Sequence, residues 1–454
     1  MRDLSHGPVA RQIFIFALPM LLGNVFQQMY NIVDTIIIGR YIGTDALAAA
    51  GASFPVIFVL VSLVIGITTG TTIIISQYYG AKDYEAVKRA IDTAFIFLFF
   101  ASILLTILGL VFIEDIWRLI GLPEHLIPDA TRYFSVYAAG LVLMFGYNAI
   151  SAVLRGLGDS RTPLYFLIIS TILNIGFDLL FVLVFGWGIG GVAFATVLAQ
   201  GIAFGLSVIY LNRTHQLIRF SFRGLTFDWD IFRKSLRIGV PTGMQHTFVS
   251  LGMLALISIV NRFGTNTIAA YTIAWRIDSF AAMPAMNFGL ALTTFVGQNL
   301  GAGRSERVRE GLKATLLMTT GVSLTVTLIA WLYGRQLMGI FTTNQEVIEI
   351  GYNYLVIVSS FYVVFSSMFV TQAVMRGAGD TLIPMFITLI ALWLLRIPAS
   401  HLLSLRFGAV GIWWGIPVAW LFGFVAAYIY YRTGRWKRKV VVKHQTEEEK
   451  PQSP

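Results

Sequence analysis

No cysteine occurs in the 454 residues. Its absence excludes disulfides, thiolate metal sites and cysteine nucleophiles, and it leaves the redox compartment unmarked. Charge is scarce as well: Asp, Glu, Lys and Arg make up 12% of the chain, against 56% hydrophobic residues. So little polar surface cannot cover a soluble globule, and lipid is the expected solvent. There are six histidines, and only His246 and His401 fall in apolar stretches, with no clustered motif of histidine and acid beside them. A membrane-embedded enzyme, such as an acyl or glycosyl transferase, would need such a cluster near one interface. The chain is therefore expected to be no enzyme and to use no organic cofactor.

What is abundant is uncharged sequence. A membrane-crossing helix needs roughly 20 largely apolar residues. Runs of that kind recur at Gln12 to Val33, Thr93 to Ile113, Tyr133 to Leu154, Ile238 to Asn261 and Ile350 to Met375. They are continuous, whereas a membrane barrel would show short alternating segments, so the expected class is an all-α integral membrane protein of about twelve spans. The polar stretch Met1 to Arg11 runs straight into a full-length apolar helix without a small-residue cleavage site, which predicts a retained first span.

The formal charge of +10 could suggest nucleic acid, but its distribution argues against that partner. With the amino terminus in the cytoplasm, Arg40, Arg118, Arg132, Arg262, Arg335 and Arg406 fall on outer loops, Arg276 and Arg396 fall within spans, and all other Lys and Arg fall on inner segments. The positive-inside rule thus predicts both termini in the cytoplasm of a plasma or inner membrane. The tail Arg435-Trp436-Lys437-Arg438-Lys439 is placed against anionic lipid, each basic residue there contributing about 1 kcal/mol.

Three segments recur at a displacement of 221 residues. Gln77-Tyr78-Tyr79-Gly80-Ala81 matches Gln298-Asn299-Leu300-Gly301-Ala302, Leu154-Arg155-Gly156-Leu157-Gly158-Asp159 matches Met375-Arg376-Gly377-Ala378-Gly379-Asp380, and Pro163 matches Pro384. The chain is a duplicated half. Each half holds about six spans, an even number, so the halves enter from the same side as parallel repeats, a transporter design with a central cleft. The expected division is 1–211 as an amino-terminal lobe, 212–234 as a cytoplasmic linker, 235–431 as a carboxy-terminal lobe and 432–454 as a basic, then acidic, tail. A monomer is favoured, because the two halves already form the cleft. The repeated Gln-x-x-Gly-Ala and Arg-Gly-x-Gly-Asp segments read as cytoplasmic turns.

Ionisable groups inside an apolar span are expensive and are functional candidates by default. Here they are Asp34, Asp178, Arg276, Asp278 and Arg396. The first span also carries Asn24, Gln27, Gln28, Asn31 and Thr35, spaced so that most share one helical face with Asp34. Asn174 and Asp178 are four apart and share a stripe, which Thr196 of the next span could approach. Two carboxylates, an amide oxygen and a hydroxyl suit a hard monovalent cation, and the carboxylates alone suffice for a proton, since neighbouring carboxylates titrate as a pair. The alternative is that Asp34 is merely hydrated at the membrane boundary while Asp178 caps or cross-links helices.

Arg276 and Asp278 are two apart and seek separate partners, either in structural ion pairs or in a cavity. Gln245, His246 and His401 read as lone polar groups suited to interhelical hydrogen bonds. Met283, Met286, Phe361 and Phe365 could build an adaptable apolar cavity, with lipid-facing or packing roles as the alternative. Pro19, Pro55, Pro241, Pro284, Pro384 and Pro398 are the expected kinks.

Leu18-Pro19, Asp34 with Ile38-Gly39-Arg40, and the paired Gln-x-x-Gly-Ala and Arg-Gly-x-Gly-Asp segments resemble the multidrug and toxic compound extrusion (MATE) family over nearly the whole chain. The resemblance is closest to the branch named after a DNA-damage-inducible protein. It implies that Asp34 and Asp178 bind the coupling proton or sodium ion, with Asn174 and Thr196 completing the site. The other familiar branch uses acids in the seventh and tenth spans, and neither span has one in its middle here. The resemblance further implies export of cationic, lipophilic small molecules by alternating access. Gln27, Gln28, Asn31, Gln245, His246, Arg276 and Asp278 are the candidate polar groups of the cavity. The rival reading is a flippase for lipid-linked precursors, whose cleft would need several cations where only Arg276 and Arg396 are on offer.

Overall fold

The computed structural model describes residues 2–214 and 224–442. The middle of the expected linker and the acidic end of the expected tail, residues 215–223 and 443–454, lie outside the described residues. Those described form helices joined by short turns, as an apolar chain in lipid must to satisfy its backbone internally. In the amino-terminal half these are α1 (Val9–Ile37), α2 (Thr44–Gly80), α3 (Tyr84–Leu119), α4 (Ile127–Ala139), α5 (Leu141–Gly156), α6 (Arg161–Leu179) and α7 (Gly188–Thr214). The other half runs through α8 (Trp229–Val260), α9 (Thr265–Gly301), α10 (Ser305–Gly339), α11 (Gln345–Ser359), α12 (Tyr362–Gly377), α13 (Leu382–Leu389), α14 (Ile397–Phe407) and α15 (Ala409–Thr433). Ten continuous helical stretches are long and apolar enough to cross a membrane, and two bent pairs, α4 with α5 and α11 with α12, bring the number to twelve.

The sharp bends are not where proline predicts them. The two bent pairs turn by 50° and 48° at breaks that contain no proline, at Gly140 and at Ser360–Phe361, whereas α1, α2, α8 and α9 run on through Pro19, Pro55, Pro241 and Pro284. The two breaks fall at the same step of the repeat, α5 opening at Leu141 and α12 at Tyr362. Three further departures from α geometry are π-helical turns: Ile38–Ile42 after α1, Leu180–Val184 after α6, and Ile390–Arg396 between α13 and α14.

The chain divides into two compact units. One comprises Arg2, Leu18–Ile75 and Tyr84–Gly243, and the other comprises Asp3–Ala17, Ser76–Asp83 and the residues from Met244 onward. Within the first, α7 packs on α4, α5 and α6, while α3 packs on α4 and α5. Within the second, α9 packs on α10, α11 and α12, while α15 packs on α11, α12 and α14.

Apolar side chains gain little from meeting one another in lipid, so helices associate through small residues and buried hydrogen bonds. The first unit shows this where α2 meets α8: a Cβ built on Gly66 would lie 2.6 Å from the Gly243 nitrogen and collide with the Gly239 carbonyl. The duplication is also visible as a repeated joint. Thr72 Oγ1 donates to the Ala152 carbonyl at 3.0 Å, and Thr293 Oγ1 donates to the Ala373 carbonyl at 3.2 Å, both pairs related by the same 221-residue step.

The repeated polar segments are helix ends rather than free loops. Gln77 and Gln298 are fully buried in the last turns of α2 and α9. The Gln298 carboxamide oxygen accepts the Leu4 backbone N–H at 2.8 Å, and the Gln77 oxygen accepts that of Val441 at 2.7 Å, so each glutamine holds one end of the described chain. Asn299 Nδ2 donates to the Leu4 carbonyl, and Arg304 and Arg307 donate to those of Ser5 and Gly7. Arg155 and Arg376 lie in the final turns of α5 and α12, followed by Gly158 and Gly379 with φ of 81° and 93°, a conformation that glycine alone adopts freely. Asp159 then caps α6, accepting the Thr162 N–H at 3.0 Å, whereas Asp380 accepts the Tyr430 hydroxyl at 2.6 Å.

Because the α2–α8 crossing brings backbone onto backbone, Gly66→Val is expected to destabilise the first unit by about 1–3 kcal/mol. Thermal unfolding in detergent followed by size exclusion reads this directly, and an unchanged melting temperature would refute the close crossing.

Candidate cation site

Asp34 sits on the last full turn of α1, and Asp178 sits one residue before the end of α6, so each carboxylate is followed within a turn by a π-helical segment. Those two segments touch each other, and both touch α7. A π turn carries one residue more per turn than the α ladder and commonly marks a functional position. Here each of two acids from distant parts of the sequence precedes such a turn, and the two are close enough to interact electrostatically.

Asp178 is completely buried and Asn174 and Thr196 nearly so. Asn174 Nδ2 donates to Thr196 Oγ1 at 3.3 Å, and Thr196 Oγ1 donates to the Val192 carbonyl at 3.2 Å. Those two bonds use the nitrogen of the amide and the proton of the hydroxyl, which leaves the Asn174 oxygen and a remaining lone pair of Thr196 Oγ1 as acceptors. Asp34 Oδ1, both oxygens of Asp178 and Asn174 Oδ1 are buried with no hydrogen-bond donor, and so are Thr171 Oγ1 and Gln200 Oε1. No side chain or backbone N–H among the described residues donates to Asp178. A buried, unpaired carboxylate is too costly to be left so without a counter-charge or proton.

The four residues singled out from the sequence, Asp34, Asn174, Asp178 and Thr196, are thus in one place. Sequence reasoning missed the tyrosines around them. Tyr30 of α1 and Tyr133 of α4 are within electrostatic range of both carboxylates, and Tyr137 is within range of Asp34. Their signal was available as spacing: Tyr30 lies four before Asp34, Tyr133 and Tyr137 are four apart, and Thr171 and Asn174 are three apart.

The remaining candidates are elsewhere. Gln27 is exposed, and Asn31 Nδ2 donates to Gln28 Oε1 at 3.2 Å. Gln245, His246, Arg276 and Asp278 belong to the second unit. Arg276 is exposed, and Asp278 accepts the hydroxyls of Tyr362 at 2.7 Å and Tyr354 at 3.3 Å, with the buried Arg396 guanidinium in electrostatic range. Asp278 thereby has the separate partners that its spacing from Arg276 required. Gln245 Nε2 donates to Thr388 Oγ1 at 2.7 Å.

Chemically the cluster offers oxygen alone. Among the described residues no group of three or more His, Cys, Asp or Glu could hold a metal ion. What fits is a proton shared by the acids, or a small hard cation held by carboxylate, amide and hydroxyl oxygens.

Apolar helices in a duplicated arrangement around buried, unpaired acids define a membrane transporter. The MatE family model matches residues 19–180 and 241–402, one match in each half. The chain belongs to the MATE family of transporters. It is 34% identical to the probable multidrug resistance protein YpnP of Bacillus subtilis, over 96% of this chain and 97% of that protein. It is likewise 34% identical to the probable multidrug resistance protein YoeA of the same organism, over 97% and 96%. A solved outward-facing multidrug resistance MATE family transporter of the MOP superfamily matches with a TM-score of 0.90 at 24% identity, covering 96% of this chain and 98% of that one, and so shares the fold.

Two neighbouring buried acids without donors are expected to burden the first unit. Asp178→Asn removes one charge and supplies a donor to Asp34, and is expected to raise the melting temperature in alkaline, sodium-free detergent solution by the equivalent of about 1–3 kcal/mol. A melting temperature equal to or below that of the native protein would show that the acids do not burden the fold.

Proposed function

We propose that this transporter exports lipophilic, cationic small molecules across the cell membrane in exchange for protons or sodium ions bound at Asp34 and Asp178. The observation that carries the reading is the pair of neighbouring carboxylates whose buried oxygens lack donors. The multidrug resistance names of YpnP and YoeA support the substrate class, and the bacterial relatives support a cell-membrane location. Both termini are assigned to the cytoplasm from the distribution of Lys and Arg, and the working unit is a monomer.

In this mechanism an ion entering from outside neutralises the acid pair and favours the state that releases substrate outward. Its loss to the inside restores the charged pair and resets access. One charge crossing 100 mV supplies about 2.3 kcal/mol. The neutral ligands then distinguish the ions. A proton needs only the acids, whereas a sodium ion also needs the Asn174 and Thr196 oxygens to replace its water.

The test is uptake of a fluorescent lipophilic cation into inverted vesicles under an imposed proton or sodium gradient. Asp34→Asn and Asp178→Asn are each expected to lower gradient-driven uptake at least tenfold at equal protein levels, an effect of about 1.4 kcal/mol or more. Thr196→Val should leave proton-driven uptake within about twofold and should cut sodium-driven uptake about tenfold if sodium is the coupling ion. Folded protein that takes up nothing under either gradient would overturn the exporter reading in favour of a flippase for lipid-linked precursors.

A further inference from the structure

The unpaired buried polar atoms sort by unit and by chemistry. In the first unit those among the described residues are all oxygens, on Asp34, Thr171, Asn174, Asp178 and Gln200. In the second they are all nitrogens: Gln372 Nε2, Arg376 Nε, Arg396 Nε and Trp413 Nε1. Acceptors without donors call for a cation. Donors without acceptors call for an anion or another acceptor-rich group.

Two of these nitrogens are neighbours. Gln372 and Arg376 are four apart on α12 and are 1% and 7% exposed. Arg376 Nη2 donates to Gln372 Oε1 at 3.1 Å and to Gln245 Oε1 at 3.4 Å, and the guanidinium lies 5.0 Å from the Phe369 ring centroid. The orientation of the Gln372 amide follows from that contact: its oxygen meets the guanidinium, so its NH2 must point elsewhere. Gln245 is oriented in the same way, its NH2 engaged by Thr388. His246 is a further polar neighbour in electrostatic range. No carboxylate forms an ion pair with Arg376 among the described residues. The result is a buried full positive charge with two amides locked as acceptors around one edge, and an Nε–H and an amide NH2 left to donate.

An arginine in the last turn of a helix is also favoured by the carbonyl ends there, and Arg155 stands at the equivalent place in α5. That role requires no amide beside it. Ser151 occupies the position in the first half that matches Gln372, so the extra amide donor is particular to the second unit.

We infer that Gln372 and Arg376, framed by Gln245 and His246, form a binding site for the anionic group of an amphiphilic solute, such as a carboxylate or a phosphate monoester. A planar carboxylate is the natural match, because Arg376 Nε–H and the Gln372 amide can each donate to one of its oxygens. The site widens the substrate class beyond lipophilic cations to solutes bearing an acidic group, and in that respect rests on the transporter reading. Its occupation needs no ion gradient.

The experiment is an equilibrium titration of the purified full chain, in neutral detergent, with dansylglycine and with dansylglycinamide, its uncharged counterpart. Native protein is expected to bind the carboxylate at least tenfold more tightly than the amide. Arg376→Gln should abolish the preference and Arg376→Lys should keep part of it. Gln372→Glu supplies Arg376 with an internal carboxylate in nearly the same volume, so it should remove the preference. Equal affinity of the native protein for both probes, or an undiminished preference in Gln372→Glu, would overturn the proposal. Repeating the titration in nanodiscs of phosphatidylcholine and of phosphatidylglycerol distinguishes the source of the anion, since weaker dansylglycine binding in phosphatidylglycerol would assign the site to a lipid headgroup rather than a solute. Failure of gradient-driven uptake in vesicles with the carboxylate preference intact would separate loss of the antiport reading from loss of this one.

Discussion

A polar group buried in a protein that is itself dissolved in lipid has nowhere else to find a partner. Water cannot reach it, so every donor and acceptor is matched within the chain or waits for something to arrive. This constraint explains the long helices and the glycine crossing at Gly66 and Gly239, where backbones pack closely because side-chain hydrophobicity offers no reward. It also explains the threonine joints that tie α2 to α5 and α9 to α12. The same constraint makes the exceptions informative. Asp178 with neither oxygen bonded and Arg376 with an idle Nε are places where the fold tolerates a cost that a ligand can relieve.

The two units meet this demand differently. In the first, two neighbouring acids each precede a π turn and neither forms an ion pair among the described residues. In the second, the single mid-span acid, Asp278, is already satisfied by two tyrosine hydroxyls with Arg396 nearby. Repetition of the scaffold has therefore not produced repetition of the chemistry.

Much of this was legible from residues alone. Continuous apolar runs gave the class, the shared 221-residue step gave the duplication, and the cost of charge inside a span gave Asp34 and Asp178. The bends were not legible, because they occur at Gly140 and at Ser360–Phe361, where packing rather than a missing N–H interrupts the helix. At Gly140 a side chain would collide with Val197 of α7. The buried roles of Gln77 and Gln298 also escaped detection. A Gln-x-x-Gly-Ala string reads as a turn unless the chain ends that dock on it, at Leu4 and Val441, are known to return. The tyrosines were overlooked because aromatic residues are common in every span, and only convergence of α1, α4 and α6 separates Tyr30, Tyr133 and Tyr137 from the rest.

The matching breaks before Leu141 and Tyr362 bear on history. A bend placed at one step in both halves is most simply inherited from a single six-helix ancestor that already had it, before the gene doubled. The acid pair has no such twin: the positions that correspond to Asp34 and Asp178 hold Leu256 and Ala399. The hinge-like architecture is then the older trait. The acids belong to the later divergence of the two copies, gained in one or lost from the other, so the descendants of one ancestral half have come to specialise.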